Sequence, residues 1–284
     1  MAYTSFADLL EGAGRHGSLA AAALQLEVAE SGRAPAELRE RMREALSVMR
    51  SAVADGRSRS TPSRSGLTGG DAARLHAAPA GPVGAIFSDA LTSALAVAEV
   101  NASMGRIVAA PTGGASGVLP GVLLTLADGA GADDDALVDA LFTAGAIGGV
   151  IAARASLAGA SGGCQAEIGS AAAMAAAAGV ELLGGTPGAS GHAASLALQG
   201  LLGLVCDPVG GLVEVPCVAR NATGAAVALA GVELALAGVT FPIPFDEVVD
   251  ASASVGRSLP PSLRETAIGG LAGTPTAHRL TRET

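Results

Sequence analysis

The chain has 284 residues, half of them hydrophobic, and its 26 acidic against 17 basic groups give a net charge of −9. That balance argues against a nucleic-acid surface, and because every basic residue is Arg, the absence of Lys excludes a pyridoxal-phosphate Schiff base and a Walker A loop. Only 2% of residues are aromatic while 40 are Gly, so a core must be packed from Ala, Val, Leu and Ile at short range, in one large domain or two small ones.

Residues 4–55 read as two surface helices. The first carries Leu19, Ala22, Ala23 and Leu26 at helical spacing, the second Leu38, Met42, Leu46 and Met49. A turn at Ser31-Gly32 separates them, and Pro35 suits the first turn of the second helix. The stretch 56–65 is polar, contains Pro62 and is expected to be an exposed linker with Arg57, Arg59 and Arg64 solvated. From residue 83 an apolar helix followed by a Gly/Thr/Ser/Pro loop recurs, with helices expected over 83–104, 117–127, 135–157, 164–183, 189–205, 218–237 and 246–258. Strand-like alternation is confined to short pieces such as 212–215. The expected fold class is therefore all-α: an Ala/Gly-rich helical domain with Gly-rich loops. An N-terminal helical segment, 1–55, packs on a main domain, 66–284, as one structural unit.

Two long uncharged stretches, 107–127 and 182–206, are interrupted by Pro111, Pro120, Pro187, His192 and many glycines and fail as membrane spans. The start, Met1 to Asp8, lacks a positive region followed by an apolar core. A cytoplasmic, non-membrane location is expected.

Three cysteines sit in Gly- or Pro-rich surroundings: Ser161-Gly-Gly-Cys164-Gln-Ala-Glu167, Val205-Cys206-Asp-Pro-Val-Gly-Gly211 and Glu214-Val-Pro-Cys217. With 41 residues between the first two and 10 between the last two, no Cys-x-x-Cys pattern of a ferredoxin or zinc finger exists. An odd number also argues against a disulfide framework. Three soft thiolates suit an iron–sulfur cluster or zinc; on chemistry alone, ordinary buried cysteines remain the alternative.

The loops at Thr68, Gly69 and Gly70 and at Thr112, Gly113 and Gly114 could hold a carboxylate on exposed backbone N–H groups. Asn101 and Asn221 are further polar candidates. Asp207-Pro208 reads as a helix start. The four histidines, His16, His76, His192 and His278, lie outside these segments and read as surface or structural residues. Ala-Ser-Gly triads at 115–117, 160–162 and 189–191 raise the lyases that cyclise such a triad into an electrophile, but Tyr3 is the only tyrosine and that chemistry relies on one near the site.

Gly66-Leu-Thr-Gly-Gly-Asp71, Glu99-Val-Asn-Ala-Ser-Met-Gly105, Ala110-Pro-Thr-Gly-Gly-Ala-Ser-Gly117, Gly162-Gly-Cys-Gln-Ala-Glu-Ile-Gly-Ser170 and the run from Leu204 to Asn221 together resemble the alpha chain of the iron–sulfur L-serine dehydratases. The likeness extends to Leu263-Arg-Glu-Thr266 and Thr274-Pro-Thr276. It implies a 4Fe-4S cluster on Cys164, Cys206 and Cys217, buried among the Gly-rich loops. It also implies conversion of L-serine to pyruvate and ammonia at an open iron, with Thr68, Gly69, Gly70, Asn101, Thr112, Gly113 and Gly114 binding the substrate. In two-chain members a separate beta chain carries a Ser-Ser-Ser-His-Thr segment whose histidine is the proposed base. This chain has no such segment, so the resemblance implies a beta subunit as partner and an oligomeric enzyme. The end, Arg279-Leu-Thr-Arg-Glu-Thr284, also lacks the terminal cysteine that caps the fourth iron in some single-chain relatives. Related readings keep the cluster and change the substrate to cysteine or threonine, or make the chain a non-catalytic metal-binding subunit.

Overall fold

The computed structural model describes residues 3–59, 61–79 and 81–283. It is all helical. The helices are α1 (Phe6–His16), α2 (Leu19–Ser31), α3 (Pro35–Ser58), α4 (Asp71–Ala77), α5 (Ala85–Ala102), α6 (Val118–Ala130), α7 (Asp134–Arg154), α8 (Gly159–Gly162), α9 (Ile168–Leu182), α10 (Pro187–Gln199), α11 (Cys217–Leu236), α12 (Phe245–Ser258) and α13 (Pro275–Glu283), with short 3-10 turns between several of them. Among the described residues no strand forms. The expected strand-like piece at 212–215 is loop, and one isolated parallel bridge joins Cys206 to Arg264.

The residues expected to form two helices at the amino end form three. Gly17 takes φ 98° and returns its N–H to Ala13 O, ending α1, and Ser18 accepts from Ala21 N to start α2. Helix α3 runs into the start of the expected linker and ends at Ser58. Arg57 is not solvated there: its Nη2 lies 2.6 Å from Asp89 Oδ1 and also reaches Ser93 Oγ. Helices α4 and α13 are too short and too polar to show a long apolar period, and the sequence pattern missed both.

Helix α9 is the centre of the molecule. Every residue from Ile168 to Val180 is buried, and the helix packs against α6, α7, α10 and α11. A helix apolar on all sides belongs in an interior. Its Ala-rich sequence allows close packing, because Ala adds little bulk and keeps high helix propensity. Glycine sets the closest approaches to α5. A Cβ on Gly117 would stand 2.1 Å from Ala94 O, and one on Gly56 2.3 Å from Ala96 O, so those backbones touch α5 directly.

The main core cluster runs from Phe6, Leu9, Leu38 and Met49 through α6, α7, α9, α10 and α11 to Phe245 and Val249. Phe6 meets Phe245 edge-on at 5.9 Å. Asp246 caps α1, its carboxylate accepting from Phe6 N at 2.7 Å and Ala7 N at 3.3 Å. Among the described residues one helix, α7, is long and apolar enough to cross a membrane, and 61% of its apolar window is buried within the protein.

Candidate active site: a buried thiol centre

Each cysteine is presented by a different irregular segment. Gly163 takes φ 75°, and a Cβ there would press on Leu204 O at 2.8 Å, so the chain can deliver Cys164 onto its 3-10 turn only through glycine. The next residue, Gln165, is buried. It donates from N to Leu204 O (3.0 Å) and from Nε2 to Ser252 O (2.8 Å), and its Oε1 accepts from Gly203 N (2.8 Å). That fastens the 203–206 segment alongside Cys164. Cys206 is clamped through its backbone: its N donates to Leu263 O at 2.9 Å and its O accepts from Glu265 N at 2.7 Å. Cys217 opens α11 directly after Glu214-Val-Pro, and Glu214 accepts from Ser63 Oγ (2.6 Å), Ser65 N (3.1 Å) and Ser65 Oγ.

The three thiols are 3%, 3% and 8% exposed and share one electrostatic environment. Cys164 and Cys206 hydrogen-bond to one another. That contact, with the positive charge of Arg220, holds the Cys164 thiol below its ordinary range. The same contact, with burial, pushes Cys206 up. Burial raises Cys217 to about 12.

Arg220, one turn after Cys217 on α11, organises the centre. Nη1 donates to Val205 O at 2.8 Å, Nη2 lies 2.8 Å from Asp207 Oδ1, and the guanidinium hydrogen-bonds to Cys164. One side chain thereby joins all three cysteine-bearing segments. Asp207 does not begin a helix as its Asp-Pro context suggested. It is buried, pairs with Arg220 and accepts from Leu271 N at 2.6 Å. This brings the 263–273 segment over the cysteines, and Gly270, at φ 60°, sits so close that a Cβ would be 2.3 Å from Asp207 Oδ2.

The expected substrate-binding residues fall into two groups. Thr112, Gly113 and Gly114 stand beside the thiols. Thr112 Oγ1 donates to Glu167 Oε1 at 2.7 Å, and the backbone N–H groups of Gly113 and Gly114 donate to nothing among the described residues. Asn101 Nδ2 holds Gly113 O at 3.0 Å, while Asn221 holds Gly114 O and Cys217 O and accepts from Gly117 N. Both asparagines therefore fix this loop to α5 and α11. Thr68, Gly69 and Gly70 lie on a second loop, attached to the centre indirectly: Ser63 and Ser65 of that loop bind Glu214, and Glu99 accepts from Asp71 N at 2.7 Å. The Thr68 hydroxyl is buried without a hydrogen-bond partner. His192 is structural, its Nδ1 accepting from Phe241 N at 3.3 Å, and among the described residues no histidine hydrogen-bonds to the thiol centre.

Sequence reasoning passed over Glu167, Arg220 and Gln165 although all three lie inside the quoted motifs. The available signal was a charged or amide side chain within an otherwise Gly/Ala/Val segment, which must find a partner if it is buried. Among the described residues no group of three or more His, Cys, Asp or Glu side chains is arranged to hold a metal ion.

Fold and site together define a helical protein with a buried thiol–guanidinium–carboxylate centre built from three loops. The chain belongs to the serine dehydratase alpha chain family, whose model matches residues 15–272. It is 48% identical over 264 residues to the probable L-serine dehydratase, alpha chain, of Bacillus subtilis (strain 168), covering 92% of this chain and 87% of that one. It is 43% identical over 263 residues to the L-serine dehydratase, alpha chain, of Peptoniphilus asaccharolyticus, covering 92% and 90%. Against the L-serine dehydratase of Streptomyces coelicolor the identity is 39% over 264 residues, 91% of this chain and 58% of that longer protein.

Proposed function

We propose that this chain is the cluster-bearing alpha subunit of an L-serine dehydratase, with Cys164, Cys206 and Cys217 each holding one iron of a 4Fe-4S cluster. The observation that carries the reading is the convergence of three buried thiols, from three separate segments, around Arg220 in a member of this family. The donor set fits such a cluster: it is all thiol, and a guanidinium lies beside it to offset the negative charge that thiolates bring. Thiolates that bind different irons need not meet at one point, whereas a single zinc ion requires ligands that do. When bound, the cluster supplies an open Lewis-acid iron that makes the substrate hydroxyl a better leaving group.

The residues of the chain orient the amino acid. The N–H groups of Gly113 and Gly114 donate to nothing among the described residues, in a turn held by Asn101 and Asn221, and we assign them, with Thr112, to the substrate carboxylate. Thr68, Gly69 and Gly70 contribute from the neighbouring loop. Removal of the α-proton we assign to a histidine of a beta subunit. Two observations support a second chain: relatives are named alpha chains, and among the described residues no histidine bonds to the centre. We place the enzyme in the cytoplasm, where thiols stay reduced.

The test is anaerobic iron and sulfide analysis with the visible spectrum, on the wild-type chain and on Cys164→Ser, Cys206→Ser and Cys217→Ser, followed by pyruvate formation from L-serine with the partner added. About four irons per chain, lost in each variant, and pyruvate formation support the reading. Zinc, or no metal in protein never exposed to air, overturns the cluster. Faster turnover of cysteine or threonine keeps the cluster and changes the substrate.

A further inference from the structure

We propose that Glu167 is the acid–base carboxyl that this chain itself contributes to the site, delivering a proton to the hydroxyl that leaves the substrate's β-carbon. The proposal rests on the dehydratase reading above and adds a role that the thiols, the glycine loops and a partner's base leave unfilled.

Position is the first argument. Glu167 is the residue before α9 and its side chain turns back into the centre. A Cβ on Gly159 would lie 2.6 Å from Glu167 Oε2 and 2.9 Å from Cys206 Sγ, which puts that oxygen and that sulfur on one small space. The charge of Glu167 bears on all three thiols. On its other side Oε1 accepts from Thr112 Oγ1, and a Cβ on Gly114 would be 3.5 Å from it. The carboxyl therefore stands between the thiols and the loop assigned to the substrate carboxylate.

Its bonding is the second argument. Oε1 is held by Thr112, while Oε2 makes no hydrogen bond among the described residues and is not one of the polar atoms sealed from solvent. One oxygen is thus fixed and the other is without a hydrogen-bond partner among the described residues. No Arg or His is ion-paired with Glu167 among the described residues, and the charge that acts on it, that of Glu265, is also negative. Enclosing a carboxyl with no cation is unfavourable, and a glutamine would keep the Thr112 bond without that penalty.

Burial is the main cause holding the Glu167 carboxyl above the ordinary carboxylate range, with Glu265 adding to it and the Thr112 bond opposing. A shift in that direction favours the protonated form that an acid catalyst needs. The step balances. A base takes the α-proton, the electron pair left on Cα forms the Cα=Cβ bond, and the Cβ–O bond breaks. The departing oxygen takes the proton of Glu167 and leaves as water, and Glu167 remains as carboxylate, still held by Thr112, until solvent reprotonates it.

The test uses the complete enzyme, this chain loaded anaerobically with its cluster and joined to its partner, as wild type, Glu167→Gln and Glu167→Asp. Iron and sulfide content and the change in visible spectrum on adding serine should match wild type in all three. Turnover of serine by Glu167→Gln should fall about 100- to 10,000-fold with KM changed only a few-fold, Glu167→Asp should recover part of it, and the high-pH limb of the wild-type rate profile should vanish in the glutamine variant. β-Chloro-L-alanine, whose chloride needs no proton to leave, should be turned over by Glu167→Gln at a rate near wild type. Equal losses with serine and β-chloro-L-alanine, loss of iron from Glu167→Gln, or a serine rate near wild type would each overturn the assignment. If wild type loaded with cluster forms no pyruvate, the dehydratase reading itself fails and the role of Glu167 falls with it.

Discussion

Arg220→Gln is the substitution that bears most directly on how the centre is held together. The Arg220 and Asp207 side chains are 13% and 3% exposed, so their ion pair is a buried one. An exposed pair contributes about 0–1 kcal/mol, but removing one partner of a buried pair strands the other and costs about 3–5 kcal/mol. Glutamine also cannot serve Val205 O, Asp207 and Cys164 together, because its amide is shorter and has two donors in place of five. A loss of that size corresponds to a fall in melting temperature of roughly 6–20 °C, at about 2–4 °C per kcal/mol for a domain approaching this length. The chain has no Trp and one Tyr, so unfolding is best followed by far-UV circular dichroism in urea, on anaerobic protein before cluster loading. Adding Asp207→Asn should recover more than half of the loss, since the stranded anion is removed while an oxygen remains for Leu271 N. A loss below about 1 kcal/mol, or a double variant as unstable as the sum of the two single variants, would refute the view that this pair joins the cysteine segments.

Two further outcomes follow from the fold. Gly117→Ala should destabilise by at least about 1–3 kcal/mol, because the new Cβ meets Ala94 O at 2.1 Å, whereas Gly14→Ala, with nothing within 4 Å, should be neutral or stabilising by up to about 1 kcal/mol; equal urea midpoints for the two variants would contradict the close packing on α5. Glu99 is buried, and desolvation raises its carboxyl above the usual range despite N–H donors from Asp71 and Ala72. Its folded form therefore binds a proton more tightly than its unfolded form, so its contribution is complete below the unfolded value of about 4.3 and is lost as pH rises through the folded one. The stability of wild type minus that of Glu99→Gln should accordingly increase between pH 7 and pH 4, and a flat or opposite difference in urea titrations would sink that assignment.

The helical class was legible because the apolar runs from residue 83 onward are long, periodic and bounded by Gly, Pro or Ser. Each expected helix there has its counterpart, shifted by a few residues at the ends. The largest overshoot, 189–205 against Pro187–Gln199, came from reading Gly200 and Gly203 as helical, when Gly203 takes φ 84°. The break between α1 and α2 was written in Gly17-Ser18, a stop followed by a cap, but Ala-rich flanks hid it in a continuous pattern.

The sequence by itself determined that the core would be small-residue helices, that lysine chemistry was excluded, and which cysteines and glycine loops were worth following, since these depend only on composition and on local backbone preference. Tertiary structure alone decided that Arg220 gathers three segments, that Asp207 closes on Leu271 instead of starting a helix, that Arg57 pairs with Asp89, and that the charge of Glu167 acts on all three thiols. The physical reason is the same for each. A charged side chain carries no local signal of its partner, and whether it is solvated, paired or left facing a cavity is fixed only when chain segments tens or hundreds of residues apart are packed together.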